Sequence, residues 1–335
     1  MRSLASLLIA PVILSATPPV DGLAQQTVEI REWTVPWADS RPRDPYVDSK
    51  GRVWFVGQTA DYVAMLDPET GQFTKYDLDK GAGPHNLIVD NNGIVWYAGN
   101  RAAHIGRLDP TTKAIRKIAM PDPAARDPHT LVFDSKGDIW FTVQGGGYVG
   151  KLAVANGSVQ LVRIPGSGTR PYGIVVDPQG RPWFNELGTN KIGTVDPATM
   201  TLREYDLPNP DARSRRIARA SDGALWYVDY ARGYLGRLDP ASGRVEDWAA
   251  PSGADSRPYA MAIDERDRIW YVETGVVPNQ LVGFDTKTKK VVSVTPIPSN
   301  GATRNTVRHM VYHPPTKSIW FGTDAGTIGR ARLGS

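Results

Sequence analysis

TRPYGIVVDPQGRPWFNELGTNKIGTVDPATMTLREYDLP, residues 169–208, holds four short apolar runs at 172–176, 182–185, 191–195 and 202–207. Pro, Gly and Asp-rich segments of the kind that end strands separate them, so the stretch reads as a four-stranded antiparallel unit. The tryptophan of its second strand recurs as Trp54, Trp96, Trp140, Trp183, Trp226, Trp270 and Trp320, at spacings of 42, 44, 43, 43, 44 and 50 residues. Four strands and one fixed aromatic per period of this length are the signature of propeller blades rather than of a helical array. Seven tryptophans predict a seven-bladed, all-β propeller.

Other columns agree. The third strand recurs as IGRLDP (105–110), IGTVDP (192–197), LGRLDP (235–240) and IGR (328–330). The fourth recurs as KYDL (75–78), REYDLP (203–208) and EDW (246–248). Blade one is expected over 41–78, blade two over 84–119, blade three over 128–164, blade four over 169–208 and blade five over 213–248; blades six and seven start at Arg257 and Arg308. The last blade stops after its third strand, and VEIREWTVP (28–36) matches the fourth-strand column. The N-terminal strand is therefore expected to complete blade seven, which removes free sheet edges.

The chain has 335 residues, 41% hydrophobic and 22% charged, an ordinary globular composition that one propeller accounts for over residues 25–335. Residues 1–24 differ: Arg2 precedes an apolar run at 4–14, and Gly22, Leu23 and Ala24 offer a cleavage point. They read as a signal peptide, too short in its apolar part to span a bilayer, so a secreted or periplasmic monomer without stable membrane insertion is expected. The absence of cysteine fits export without identifying the compartment. A net charge of +4, with no Lys/Arg block, excludes nucleic acid as an expected partner. Repeated turns such as DNNG (90–93) and DSKG (134–137) read as Asp-initiated turns rather than calcium loops.

The first strand of a blade lines the central channel and the second returns beside it. Counting eleven residues before each tryptophan gives Arg43, His85, His129, Tyr172, Arg215, Tyr259 and His309; counting three after gives Gly57, Gly99, Val143, Glu186, Asp229, Glu273 and Thr323. Hairpin counting places Tyr172 opposite Glu186, so both columns are expected at one channel mouth. Three of the chain's five histidines fall in the first column, where about 0.1 would fall by chance, which makes the column a candidate site. Three carboxylates in successive blades, if convergent, call for a hard divalent cation such as Mg²⁺. Two residues upstream of the first column stand Arg41, Arg170, Arg213 and Arg257, with Asp127 in blade three. Guanidinium groups around a mouth favour an anionic ligand. A structural alternative pairs Arg170, Arg213 and Arg257 with Glu186, Asp229 and Glu273, and the histidines too can be read as hydrogen-bonded structural residues.

WFNELGTNKIG with RPYGIVVD, GPHNLIVD and DPHTLVFD resembles the virginiamycin B lyase (streptogramin lyase) family of seven-bladed propellers. The resemblance implies opening of an ester-closed ring by elimination, with a channel histidine as base and Mg²⁺ held by glutamates. The family's base lies in a Glu-Pro-His element, and the matching elements here are Asp127-Pro128-His129 and Gly83-Pro84-His85. By resemblance His129 is the base, His85 its substrate-orienting partner, and Asp127 stands in for a glutamate ligand. Where a second carboxylate ligand is expected this chain has Val143 and Gln144, so the metal would use Glu186, or shift towards Glu186, Asp229 and Glu273. His309, Arg43, Tyr172, Arg170, Arg215, Tyr259 and Arg257 are the expected substrate-binding set. The substrate class is a small ester or an anionic oligosaccharide unit. A lactonase-type hydrolase and a non-catalytic binding propeller are the alternatives, the first weakened by Gly57 where a ligating glutamate is expected.

Overall fold

The computed structural model describes residues 27–300 and 305–334. The expected leader lies outside the described residues. Seven four-stranded antiparallel sheets follow one another, six of them in plain sequence order. The seventh is built from Val307–His313, Ser318–Thr323 and Thr327–Arg332, with Glu29–Thr34 added at its outer edge. The N-terminal strand thus closes the ring, as its sequence match to the fourth-strand column predicts. Among the described residues no helix is long and apolar enough to cross a membrane.

The repeat has a packing reason in each column. The residue after each blade tryptophan is aromatic in most blades, and it pairs with the glycine of the third strand: Tyr97 with Gly106, Phe141 with Gly150, Phe184 with Gly193, Tyr227 with Gly236. A Cβ on any of these glycines would overlap the facing ring, so glycine is the residue that lets the ring lie flat on the backbone. The tryptophans are buried, Trp54 and Trp140 completely. In four blades the turn aspartate accepts the indole N–H: Asp48 from Trp54 at 2.8 Å, Asp90 from Trp96 at 3.1 Å, Asp177 from Trp183 at 3.0 Å and Asp264 from Trp270 at 2.9 Å. The other oxygen of Asp177 accepts the backbone N–H groups of Gln179 and Arg181. These aspartates are turn formers, which is the role expected of them.

One irregularity decides the site. In blade four the register pairs Ile174 with Phe184, Val175 with Trp183, and then breaks, so that Pro171 faces Glu186. Continued without a break, that register would put Tyr172 opposite Glu186, which is the expected pairing. A bulge between Pro171 and Ile174 adds one residue to the inner strand and corrects the expectation by one position. The same break occurs in the inner hairpin of every blade.

Blade seven brings a second correction. Its inner hairpin turn, Pro314–Thr316, is one residue longer, so Trp320 pairs with Val311 nine positions upstream, where Trp183 pairs with Val175 eight upstream. Counting from the tryptophan therefore selects His309, whereas the structural equivalent of Tyr172 is Arg308. His309 belongs one layer deeper.

Candidate functional site

The bulge turns two successive residues of each inner strand into the channel region. The upper layer, in blade order, reads Arg43, His85, His129, Tyr172, Arg215, Tyr259 and Arg308; the lower reads Asp44, Asn86, Thr130, Gly173, Arg216, Ala260 and His309. Arg43, His85, His129, Tyr172 and Tyr259 are all buried. From His85 round to Tyr259 the side chains touch. The His85 and His129 rings lie with centroids 3.6 Å apart, and His129 and Tyr172 at 4.2 Å. The Tyr172 and Tyr259 hydroxyls are hydrogen-bonded, and the Arg215 guanidinium covers the Tyr259 ring at 3.6 Å.

The lower layer holds this ring in place. Arg216, missed by counting, reaches across the channel. It donates from Nη1 to Thr130 Oγ1 at 3.2 Å, from Nη2 to Asp44 Oδ2 at 3.4 Å and from Nε to the Arg308 carbonyl at 3.3 Å. Asp44, also missed, is fully buried and accepts from Arg43 Nε at 2.8 Å and from Asn86 Nδ2 at 3.2 Å. Burial alone would raise this carboxyl, but Arg43, His309 and Arg216 hold it well below the usual carboxylate range. Its backbone is left-handed at φ 49°, a conformation that Asp and Asn accept more readily than most side chains. The doubled arginine at 215–216 and the polar run Asp44, Asn86, Thr130 on otherwise apolar inner strands were the available signals for this layer.

The protonation of the histidines follows from burial and charge. Burial first, then Arg43, holds His85 well below the ordinary imidazole range; burial, then Arg216 and Arg43, does the same for His129. His309 is pushed down to about 3 by burial and Arg216. All three are neutral at pH 7. His85 Nδ1 lies 3.2 Å from the His129 carbonyl oxygen, which can only accept, so Nδ1 carries the proton and Nε2 keeps its lone pair. His129 Nδ1 lies 2.8 Å from Thr130 Oγ1, and its buried Nε2 has no partner. Tyr259 is the opposite case: burial would raise it, yet Arg215, Arg43 and Arg216 bring it down to about 8.

The expected metal ligands do not converge. Asp127 accepts the backbone N–H groups of Gly145 and Gly146 in its own blade's turn. Glu186 accepts from Thr189 Oγ1 at 2.7 Å, Asp229 from the Arg213 N–H at 2.9 Å, and Glu273 from Ser252. Each carboxylate is taken up by groups beside its own inner hairpin rather than by the channel column. Among the described residues no three metal-binding side chains come together. Mg²⁺ held jointly by Asp127, Glu186, Asp229 and Glu273 does not fit this arrangement, and the one carboxylate of the lower layer, Asp44, is already shared by two arginines.

Among the described residues the side chains of Arg170, Arg213 and Arg257 form no ion pair with these carboxylates, and Arg213 meets Asp229 only through its backbone N–H. Arg170 and Arg257 are exposed, with left-handed backbones at φ 51° and 47°, and their carbonyls accept from Leu187 and Thr274 to start the inner hairpin. Arg213 donates to the Pro210 and Ala212 carbonyls. The expected ion pairs with Glu186, Asp229 and Glu273 are replaced by these contacts. Gly57 and Gly99, which break the carboxylate column in blades one and two, lie under the rings of Tyr62 and His104.

The model of the virginiamycin B lyase family matches residues 28–331, nearly the whole propeller. The chain belongs to the virginiamycin B lyase family. Its fold is close to that of virginiamycin B lyase from Staphylococcus aureus, at 25% identity and TM-score 0.81, with 91% of this chain and 99% of that one covered. A streptogramin B lyase is similar at 26% identity and TM-score 0.82, covering 93% of this chain and 100% of that one. A catalytically inactive histidine-to-alanine variant of the Staphylococcus aureus enzyme, solved with quinupristin, aligns at 25% identity and TM-score 0.82 over 91% of this chain and 99% of that one. No curated protein sequence matches the chain.

Proposed function

We propose that this family member is an exported carbon–oxygen lyase that opens an ester or glycosidic link by elimination at the channel mouth. The observation that carries the reading is the free Nε2 of His85. It is held neutral by burial and oriented by the His129 carbonyl. An elimination base must remove a proton from carbon α to a carbonyl. His85 meets that need, which exchanges the roles expected from the resemblance: His129, whose Nε2 is wholly buried, packs against His85 and positions it. The proton passes to His85 Nε2, the C–H pair becomes the new double bond, and the C–O bond breaks with its electrons leaving on oxygen. An ester leaves as a carboxylate; a sugar oxygen needs a proton, and the Tyr172–Tyr259 hydroxyl pair stands beside His129. No step is routed through Mg²⁺, since the expected ligands do not meet. Charge stabilisation falls to the guanidinium groups. Export rests on residues 1–24, whose sequence has the leader pattern.

The test is a screen of cyclic depsipeptide esters and uronates, followed by ultraviolet absorption of the unsaturated product, with ¹⁸O-labelled water as solvent. Elimination leaves no solvent oxygen in the product, and His85→Ala lowers kcat by about 10²–10⁴-fold. Incorporation of ¹⁸O refutes elimination and favours a lactonase-type hydrolysis.

A further inference from the structure

The upper ring is electrostatically two-sided. Blades five, six, seven and one contribute Arg215, Tyr259, Arg308 and Arg43 in that order, and blades two and three contribute His85 and His129. Arg41 adds a fourth guanidinium at the rim, 43% exposed and 3.6 Å from Asp324. Arg308 also pairs with Asp324, at 2.7 Å. Among the described residues, Arg41, Arg43, Arg215, Arg216 and Arg308 thus pair with only two carboxylates, Asp44 and Asp324. The histidines are neutral, so three positive charges are uncompensated. Two of the donors are also idle: Arg43 Nη2 and Arg215 Nε are buried with no hydrogen-bond partner. Buried guanidinium donors without an acceptor are costly, and an oxyanion accepting from them removes that cost.

We propose that the arc of Arg215, Arg308 and Arg43 binds a carboxylate of the substrate, borne by the carbon from which His85 takes its proton. This rests on the elimination reading for the proton step; the anion site itself stands on the charge excess and the idle donors. A carboxylate is chosen over phosphate because only a carboxylate can take up the electron pair released by the adjacent C–H. The electrons delocalise onto the carboxylate as the proton reaches His85 Nε2, and the guanidinium groups neutralise the doubled charge. The pair then forms the double bond as the β C–O bond breaks. Arg43 Nη2 and Arg215 Nε supply the open donors, and Arg308, whose fork is held by Asp324, adds its charge.

Calorimetric titration of the folded chain with malonate, dimethyl malonate and inorganic phosphate, at pH 7 and constant ionic strength with chloride as balance, tests the site. Malonate is expected to bind at one site, dimethyl malonate to give no heat, and Arg215→Ala to weaken malonate at least tenfold. Arg41→Ala, at the exposed rim, is expected to weaken it severalfold and serves where Arg215→Ala fails to fold. Malonate is also expected to move the lowest tyrosine titration, followed by tyrosinate absorbance and absent in Tyr259→Phe, to higher pH, because it screens the arginines from that ring. Equal behaviour of malonate and its ester, binding of phosphate alone, or malonate binding unchanged in both arginine variants overturns the proposal. Malonate binding with no elimination of any ester or uronate removes the lyase and leaves the anion site; elimination of a neutral ester without malonate binding does the reverse.

Discussion

Glu186→Gln separates a buried acid from a metal ligand. Glu186 ends the second strand of blade four and is completely buried. One oxygen accepts from Thr189 and the other has no partner. Its near cation, Lys191, is drawn to Glu204 at 3.3 Å and Asp206 at 3.7 Å. Burial first pushes the carboxyl up to about 7 from 4.5. The folded state therefore holds the proton more tightly than the unfolded chain does. Stability from this group is complete below about pH 4.5 and falls as pH rises to about 7, where the loss levels off. A displacement of about 2.5 units at 1.36 kcal/mol each gives a loss of about 3 kcal/mol. Gln does not titrate, so the variant gains about 3 kcal/mol on the natural chain between pH 4.5 and pH 8. Urea unfolding of both proteins at the two pH values reads the difference, and all other titrating groups cancel in it. Equal differences at both pH values would refute the buried-acid account. Stabilisation of the natural chain, but not the variant, by Mg²⁺ at pH 8 would return Glu186 to a metal.

Asp177→Ala removes the acceptor of the Trp183 indole N–H and of two turn amides, and is expected to cost about 1–3 kcal/mol, read as a lower urea midpoint. Asp44→Ala leaves Arg43 and Arg216 without their shared buried carboxylate and is expected to cost about 3–5 kcal/mol by the same measurement. If His85 is the base as proposed, substrate turnover is expected to keep its rate down to below pH 6.5, since burial and Arg43 hold its imidazole neutral; an acid limb at or above 6.5 contradicts that environment. The same neutrality makes the fold acid-sensitive. The unfolded chain binds protons at His85, His129 and His309 that the folded one refuses, so stability is full above about pH 6.5 and declines below it, which urea midpoints against pH will show.

The ring of seven sheets was legible because each column of the repeat does one packing job: tryptophan in the blade core, an aromatic on a third-strand glycine, aspartate at the turn. The closing strand was legible for the same reason, as Glu29–Thr34 carries the fourth-strand pattern. The site was legible only to within one residue. Composition and spacing report which residues recur, and a bulge changes facing without changing recurrence. Tyr172 was found in the channel, yet its supposed neighbour Glu186 lies in the blade. His309 was placed in the upper ring because the count from Trp320 cannot register one extra residue in the turn at Pro314–Thr316. Arg216 and Asp44 were invisible to a column count since each occurs in one blade only, and their bond joins blades one and five across the channel.

That bond also explains how a pseudo-symmetric ring can hold an asymmetric site. The backbone supplies seven nearly equivalent positions in each layer, so nothing in the fold itself favours one blade over another. Asymmetry has to come from side chains long enough to cross the channel. Arg216 crosses to Asp44 and Thr130, Thr130 meets His129, and the His129 carbonyl fixes the tautomer of His85. One arginine in blade five is thereby linked through Thr130 to the histidine pair of blades two and three. Shortening that side chain by Arg216→Lys keeps the charge but removes the planar fork that bridges Asp44 and Thr130. On the elimination reading it is expected to lower kcat more than it raises KM, because the loss of the Thr130 contact loosens the histidine pair, while Arg43 keeps Asp44 and Arg308 keeps Asp324. A change in KM alone would show that Arg216 serves binding and that the histidine pair stands without it.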